Sequence, residues 1–302
     1  MSHSSIQSVQ TPDSTLVVRD FGAQVLSWRP RASEEVLWVS PLATITRASP
    51  LRGGIPVCFP WFDNASRSSA VEATQAPTHG FARNTLWERK KSTEGDSLCF
   101  SLTHAPFASG QLEATTRELA EAEYWDLYPH SFDADLSVRT RETLEITLTV
   151  TNTDNHSYVF EAAFHTYFRV SDIRNINLKG LEGACYIDAL NGFTAGVGDS
   201  LDTFSEAVDR VYTSKSPVTI SDPGLSREIH IATEGFGSWI VWTPWSEGAL
   251  SIEDIPDEAW ADFLCLEAGN VLGDAQQIYP GETLEMTMRV SVSDLTSFPP
   301  QS

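Results

Sequence analysis

Basic residues are the first shortage in this chain. Its 302 residues include 20 Lys and Arg against 41 Asp and Glu, a formal net charge of −21. A protein that tracks duplex nucleic acid needs a cationic face, so that class is disfavoured. Cysteine is also sparse. Cys58, Cys99, Cys185 and Cys265 lie far apart and form no CxxC pair. This spacing argues against a zinc cage. A chain of this length buries enough surface to need no disulfide framework. No apolar run approaches the roughly twenty residues of a membrane span. Met1 to Gln10 is polar and lacks the apolar stretch of a secretory signal. The expectation is a cytoplasmic protein that engages neither nucleic acid nor membrane, with a monomer as the default state.

Helical patterns are scarce as well. The best is 111–123, QLEATTRELAEAE, acidic and suited to a short helix or a loop. What is abundant is alternation with period two. In 142–150 the residues Leu144, Ile146, Leu148 and Val150 share one face. In 283–292 Leu284, Met286, Met288, Val290 and Val292 do the same. Shorter candidates are 134–138 and 218–220, and SWIVW at 238–242 reads as a buried strand. Turn signals separate them at 152–155, 222–224, 244–248 and 279–281. The pattern predicts an all-β sandwich or barrel with few short helices. RETLEITLTV at 141–150 and GETLEMTMRV at 281–290 look alike, which is shared strand grammar rather than an internal repeat. No low-complexity linker divides the chain, so one domain is expected over 1–302, with its core at about 14–292.

Charge is unevenly spread. Residues 1–91 carry a balance of +3 and the remainder −24. An anion site is therefore better sought in the first third. RGGIPVCFPWF at 52–62 has two glycines that permit sharp turns or close approach, and two prolines that stiffen the backbone after them. Its Trp61 and Phe62 either form a rigid aromatic corner of the core or offer flat surface to the C–H face of a sugar. Thr78-His79-Gly80-Phe81-Ala82-Arg83 is the next segment of interest. Arg52 and Arg83 present planar forks of donors that match phosphate or carboxylate, though a lone arginine is more often one half of a salt bridge.

Two further segments carry titratable groups among apolar ones. In FEAAFHTYF at 160–168, a strand would turn Phe160, Ala162 and Phe164 one way and Glu161, Ala163, His165 and Tyr167 the other. His165 is either a hydrogen-bonded core residue or a proton donor poised near neutral pH. In DFLCLEAGN at 262–270, Glu267 ends an apolar run, where an ionised carboxylate is costly unless paired or solvated by a cleft. Asp209, in VDRVY at 208–212, is by itself an ordinary acid beside an ordinary base.

Taken in order, RGGIPVCFPWF, HGFARNTLWE (79–88), FHTYFRVSDI (164–173), DRVY (209–212) and CLEAGN (265–270) resemble the hexose-6-phosphate mutarotases. These glucose-6-phosphate 1-epimerases form a branch of the aldose 1-epimerase, galactose mutarotase-like superfamily. The resemblance runs from about residue 14 to 292. It implies a β-supersandwich and an isomerase that interconverts the anomers of a small hexose 6-phosphate without cofactor or metal. It implies His165 as general acid and Glu267 as general base. Arg52 and Arg83 then hold the anionic substrate, Asp209 binds substrate, and His79 makes a supporting sugar contact. Relatives often carry Gln where this chain has Thr78, which changes one sugar or phosphate hydrogen bond. Three rivals stand beside this expectation. They are a non-catalytic sugar-phosphate binding protein, a mutarotase of unphosphorylated sugars, and a metal-dependent isomerase using His79, His165 and Glu267. Both acid/base residues being present weighs against the first, the arginines against the second, and the lack of an HxH or HxxxH pair against the third.

Overall fold

The computed structural model of the chain describes residues 5–44, 51–72, 76–106, 127–198 and 203–295. The acidic stretch 111–123 lies outside the described residues. The alternating segments form strands, and the strands build two large sheets. One runs Asn177–Lys179, Val218–Asp222, Arg227–Glu234, Thr283–Asp294, Leu144–Asn152, Phe132–Thr140, Ser97–His104 and Glu88–Lys90. The other runs Thr194–Val197, Cys185–Asp188, Val208–Thr213, Ser238–Thr243, Phe263–Asn270, Ala162–Phe164 and Val57–Cys58, with Tyr167–Arg169 also paired to Phe263–Asn270. Pairing within both sheets is antiparallel.

The first sheet is a one-sided wall. Along Leu144–Asn152 every second residue is buried, from Leu144 to Asn152, and the intervening Glu and Thr residues are half exposed. The two look-alike segments are neighbours in space, paired antiparallel from Thr283 opposite Thr151 to Val290 opposite Leu144. On the outer face the Thr147 and Thr287 hydroxyls meet across this pair at 2.9 Å. Segments with the same inward period fit side by side without exposing apolar surface.

The second sheet is covered on both faces at its centre. All of Phe263–Asn270 is buried. Leu264, Leu266 and Ala268 face the main core with Trp239, Val241, Phe164 and Phe168. The alternate residues face away from that core. Phe263 and Cys265 join Trp38 and Tyr167 in a second apolar cluster, and Ile240 joins Phe62, Cys58 and Ala163 in a third. Glu267 belongs to this outer face by the same period-two rule. It does not end the strand, which continues through Asn270.

Two local features refine the sequence reading. Pro244–Gly248 is no simple turn, because Trp245–Ala249 forms a short helix there. Trp61 is wholly buried in the main core, with its indole N–H donating to the Pro77 carbonyl at 2.7 Å. The aromatic corner thus describes Trp61, while its neighbour Phe62 turns to the outer face of the site sheet.

Candidate active site

Adjacent strands bring the outer-face side chains together. Asp209 stands opposite Trp242, and Trp242 opposite Cys265. One step along, Val211 stands opposite Ile240, and Ile240 opposite Glu267. Residues opposite one another in a sheet share a face, so Asp209, Val211, Ile240, Trp242 and Glu267 form a continuous floor. His165 lies just past the strand Ala162–Phe164 and is anchored by its backbone N–H to the Pro56 carbonyl at 3.0 Å. Its ring lies parallel to that of Tyr167, at 4.9 Å between centroids. A cavity of about 190 Å³ opens over this floor, and Arg52, Asp63, His79, His165, Asp209 and Glu267 all line it. Larger grooves exist elsewhere, including one of about 660 Å³ beside Asp188, Arg210 and Trp245, but it gathers no histidine.

His165 Nε2 and Glu267 Oε1 are 3.4 Å apart, and His165 is 7% and Glu267 1% exposed. Burial acts on both. It lowers the imidazole to about 3, with the positive charges of Arg83 and Arg52 acting in the same direction. It raises the Glu267 carboxyl well above the usual range, helped by the negative charge of Asp209, while Arg83 opposes. Without a substrate, burial favours the neutral imidazole and strengthens the hold of the carboxyl on its proton. The sequence reading places the shared proton on His165. A pair shifted in this way can share one proton between two groups. Asp209 is raised to about 6 by burial and by the nearby charges of Asp63 and Asp188.

Arg52 reaches the site because the chain behind it can pass between strands. A Cβ on Gly54, where φ is +64°, would lie 2.1 Å from the Val25 carbonyl oxygen. Arg52 donates from Nε to Asp254 at 2.9 Å and from Nη1 to the Tyr167 hydroxyl at 3.2 Å. Its Nη2 has no acceptor among the described residues. Arg83 is not in the cavity lining. It stands close enough to act electrostatically on His79, His165 and Glu267. Its Nη2 donates to the carbonyl and the hydroxyl of Thr78, at 2.9 and 3.2 Å, and its Nε is buried without an acceptor among the described residues. Thr78 itself is exposed and absent from the lining, so it meets the site through Arg83.

His79 is held in a left-handed backbone conformation, φ +63°, against the edge of Phe62. Its Nδ1 accepts a hydrogen bond from the Asp63 backbone N–H at 3.1 Å. Burial, with Arg83 second, keeps the ring well below its ordinary pKa and therefore neutral. With Nδ1 an acceptor, the proton of the neutral ring sits on Nε2, which makes that nitrogen a donor. Beneath this corner lies Glu161. It accepts from the backbone N–H of Phe62 at 3.0 Å and of Leu272 at 2.9 Å, and from the Ser68 hydroxyl. A buried carboxylate so solvated fixes two cavity-lining loops.

Sequence reasoning missed Asp63, Phe193 and Trp242 in the lining. For Trp242 a signal existed. In SWIVW the two tryptophans have opposite parity, so one had to face away from the core. Nothing local says which face carries a cavity.

Fold and site together define a β-sandwich protein with a buried histidine–carboxylate pair on the outer face of one sheet, in a pocket that also holds an arginine. The aldose 1-epimerase family model matches residues 5–291, and the chain belongs to that family. It is similar to a Salmonella typhimurium protein provisionally named glucose-6-phosphate 1-epimerase, 34% identical over 82% of this chain and 76% of the relative. Proteins of the same provisional name from Escherichia coli and Cenchrus ciliaris are 33% and 32% identical. They cover 88% and 92% of this chain, and 80% of each relative. A solved Salmonella typhimurium structure provisionally described as a mutarotase superposes with a TM-score of 0.79. It is 28% identical and covers 96% of this chain and 90% of that one. A galactose mutarotase-like protein from Lactobacillus casei shares the fold, with a TM-score of 0.72 at 14% identity, over 96% of this chain and all of that one. The family makes this chain a sugar epimerase, an isomerase. No helix among the described residues is long and apolar enough to cross a membrane.

Proposed function

We propose that this chain is a hexose-6-phosphate mutarotase, with glucose 6-phosphate the first substrate to test. It acts by acid/base ring opening and reclosure, in one domain over residues 1–302 with its core at about 14–292. The observation that carries this reading is the 3.4 Å approach of His165 to Glu267 inside a cavity that also holds Arg52. Mutarotation removes a proton from the anomeric hydroxyl and delivers one to the ring oxygen, then reverses both transfers on the other face. It needs one acid, one base and one mobile proton between them, which is what a singly protonated pair supplies.

The phosphate accounts for the arginines. Burial is the larger cause of the His165 depression, and a dianion near Arg52 and Arg83 offsets the share that their charges add. In the reacting state the proton is on His165 and Glu267 is the carboxylate. Glu267 takes the proton of the anomeric hydroxyl, His165 protonates the ring oxygen, and the C1–O5 bond breaks. Rotation about C1–C2 presents the other face of the aldehyde, and the same two groups act in reverse as the ring closes. Binding at the remote phosphate is spent on positioning the reacting carbon. Asp209 and the Nε2–H of His79 are placed for sugar hydroxyls.

The test is exchange between anomers of glucose 6-phosphate, monitored by NMR. Glu267→Gln and His165→Ala are each expected to lose on the order of 10²–10⁴-fold in rate, the usual worth of a placed proton transfer. Unchanged exchange in either folded variant removes that residue from the mechanism.

A further inference from the structure

Cys265 is a buried group beside the acid/base pair that the proposed chemistry leaves unused. It precedes Glu267 by two residues on the strand Phe263–Asn270, so the two side chains share the outer face. One ligand atom each from His165, Cys265 and Glu267 fall within 4.8 Å of one another, and all three residues are buried. Imidazole nitrogen, thiolate sulfur and carboxylate oxygen are the donor types zinc prefers, and three protein ligands leave a fourth position open. Bond lengths of about 2.0–2.3 Å around a tetrahedral ion set the donors roughly 3.3–3.8 Å apart. The widest pair here would contract by about 1 Å to meet that range. A second observation points the same way. His165 Nδ1 and Glu267 Oε2 are buried and have no hydrogen-bond partner among the described residues. The surrounding charges are mixed. Asp209 and Asp63 favour a cation at Glu267, and Arg83 opposes it. On the thiol side Arg52 is the opposing charge, and the Tyr167 hydroxyl meets the sulfur.

We propose that His165, Cys265 and Glu267 form an inhibitory site for a zinc-class divalent cation, which shuts down the acid/base pair by coordinating both of its members. As the metal–sulfur bond forms, the thiol S–H bond breaks and its proton leaves to solvent, and the proton shared by His165 and Glu267 leaves as the carboxylate binds the ion; no electron is transferred. The inhibitory role rests on the proposed function, whereas the metal site does not.

Cobalt(II) is the probe, because a thiolate ligand gives it a near-ultraviolet charge-transfer band. The full-length protein titrated with Co²⁺ is expected to show that band, and Zn²⁺ to bleach it. Cys265→Ala is expected to lack the band. In the anomer-exchange assay, Zn²⁺ should inhibit the wild type and EDTA should restore it. Cys265→Ala and Cys265→Ser should exchange anomers normally in chelator, which also shows that they fold. Both should need at least the roughly 10–100-fold more Zn²⁺ that even an outer-shell change costs a metal site. No band in the wild type, or equal zinc sensitivity in the Cys265 variants, overturns the proposal. The cobalt readout contains no sugar, so its failure leaves the mutarotase reading intact. Absence of exchange in metal-free wild type would instead count against that reading alone.

Discussion

His165 Nε2 approaches Glu267 Oε1 to 3.4 Å from a chain segment that pairs, two residues earlier, with Gly269 on the Glu267 strand. Two groups that titrate oppositely are thereby sealed in one place, and their shifts leave a mark on stability.

Between pH 3 and 6.5 the unfolded chain binds the His165 proton that the folded chain refuses, so this group makes stability rise with pH and fall on acidification. Asp209 acts with the opposite sign. Its folded value of about 6 against an ordinary 3.8 means the folded chain binds more proton between those values, so its contribution is lost as pH rises through them. The two oppose each other over the shared window. Asp209→Asn is therefore expected to make stability climb more steeply from pH 3.8 to 6 than in the wild type, and His165→Ala to flatten or reverse the climb. Urea midpoints across the window measure this. Parallel curves for Asp209→Asn and wild type would show that Asp209 is not shifted as described.

The two arginines should differ in what their loss does. Arg83→Ala removes charge near the pair but frees only Thr78. It is expected to raise KM for glucose 6-phosphate by at least about tenfold, or ~1.4 kcal/mol, with little change for free glucose. Arg52→Ala also releases Asp254 and the Tyr167 hydroxyl, and Tyr167 stacks on His165. It should lower kcat as well as raise KM. Equal effects of Arg83→Ala on both sugars would end the phosphate assignment.

Glu161→Ala should destabilise the fold even though Glu161 lies outside the cavity lining. It strands the buried N–H of Phe62, costing about 1–3 kcal/mol, and the part-buried N–H of Leu272, which costs less. Because both residues line the cavity, KM should rise in parallel with the fall in melting temperature. A variant with wild-type stability would contradict this role.

Gly80 and Gly281 separate strain from contact. Both have positive φ, +69° and +74°. A Cβ on Gly80 would sit 2.1 Å from the Phe59 carbonyl oxygen, whereas one on Gly281 meets nothing within 4 Å. Gly281→Ala is expected to cost about 1–2 kcal/mol from backbone conformation alone. Gly80→Ala should cost clearly more and weaken substrate binding, since His79 precedes it. Thermal unfolding of the two variants makes the comparison, and equal losses would mean the clash is relieved without consequence.

Much of this molecule is written locally. The inward set Leu144, Ile146, Leu148 and Val150, and its partner set from Met286 to Val290, arise from a period of two already visible within about nine residues. The resemblance of ordered motifs pointed to His165, Glu267, Asp209, His79 and Arg52, and the structure brings these five into one cavity. Other features were not legible. Trp61 and Phe62 are adjacent aromatics, yet one is core and the other lines the cavity. Thr78 read only as the place where one sugar or phosphate hydrogen bond changes, and its hydrogen bond with Arg83 was not foreseen.

The sequence by itself determined the alternating strands and the surplus of negative charge, because each is a property of neighbouring residues or of a sum. Only the tertiary structure decided that the outer face of the second sheet carries a cavity, that a neutral histidine meets there a carboxyl whose burial strengthens its hold on a proton, and that Cys265 lies against them. Those outcomes depend on which strands become neighbours and on how far water is excluded between them. Sheet pairing joins residues far apart in the chain, and the desolvation that moves these protons exists only once such pairing has closed the pocket.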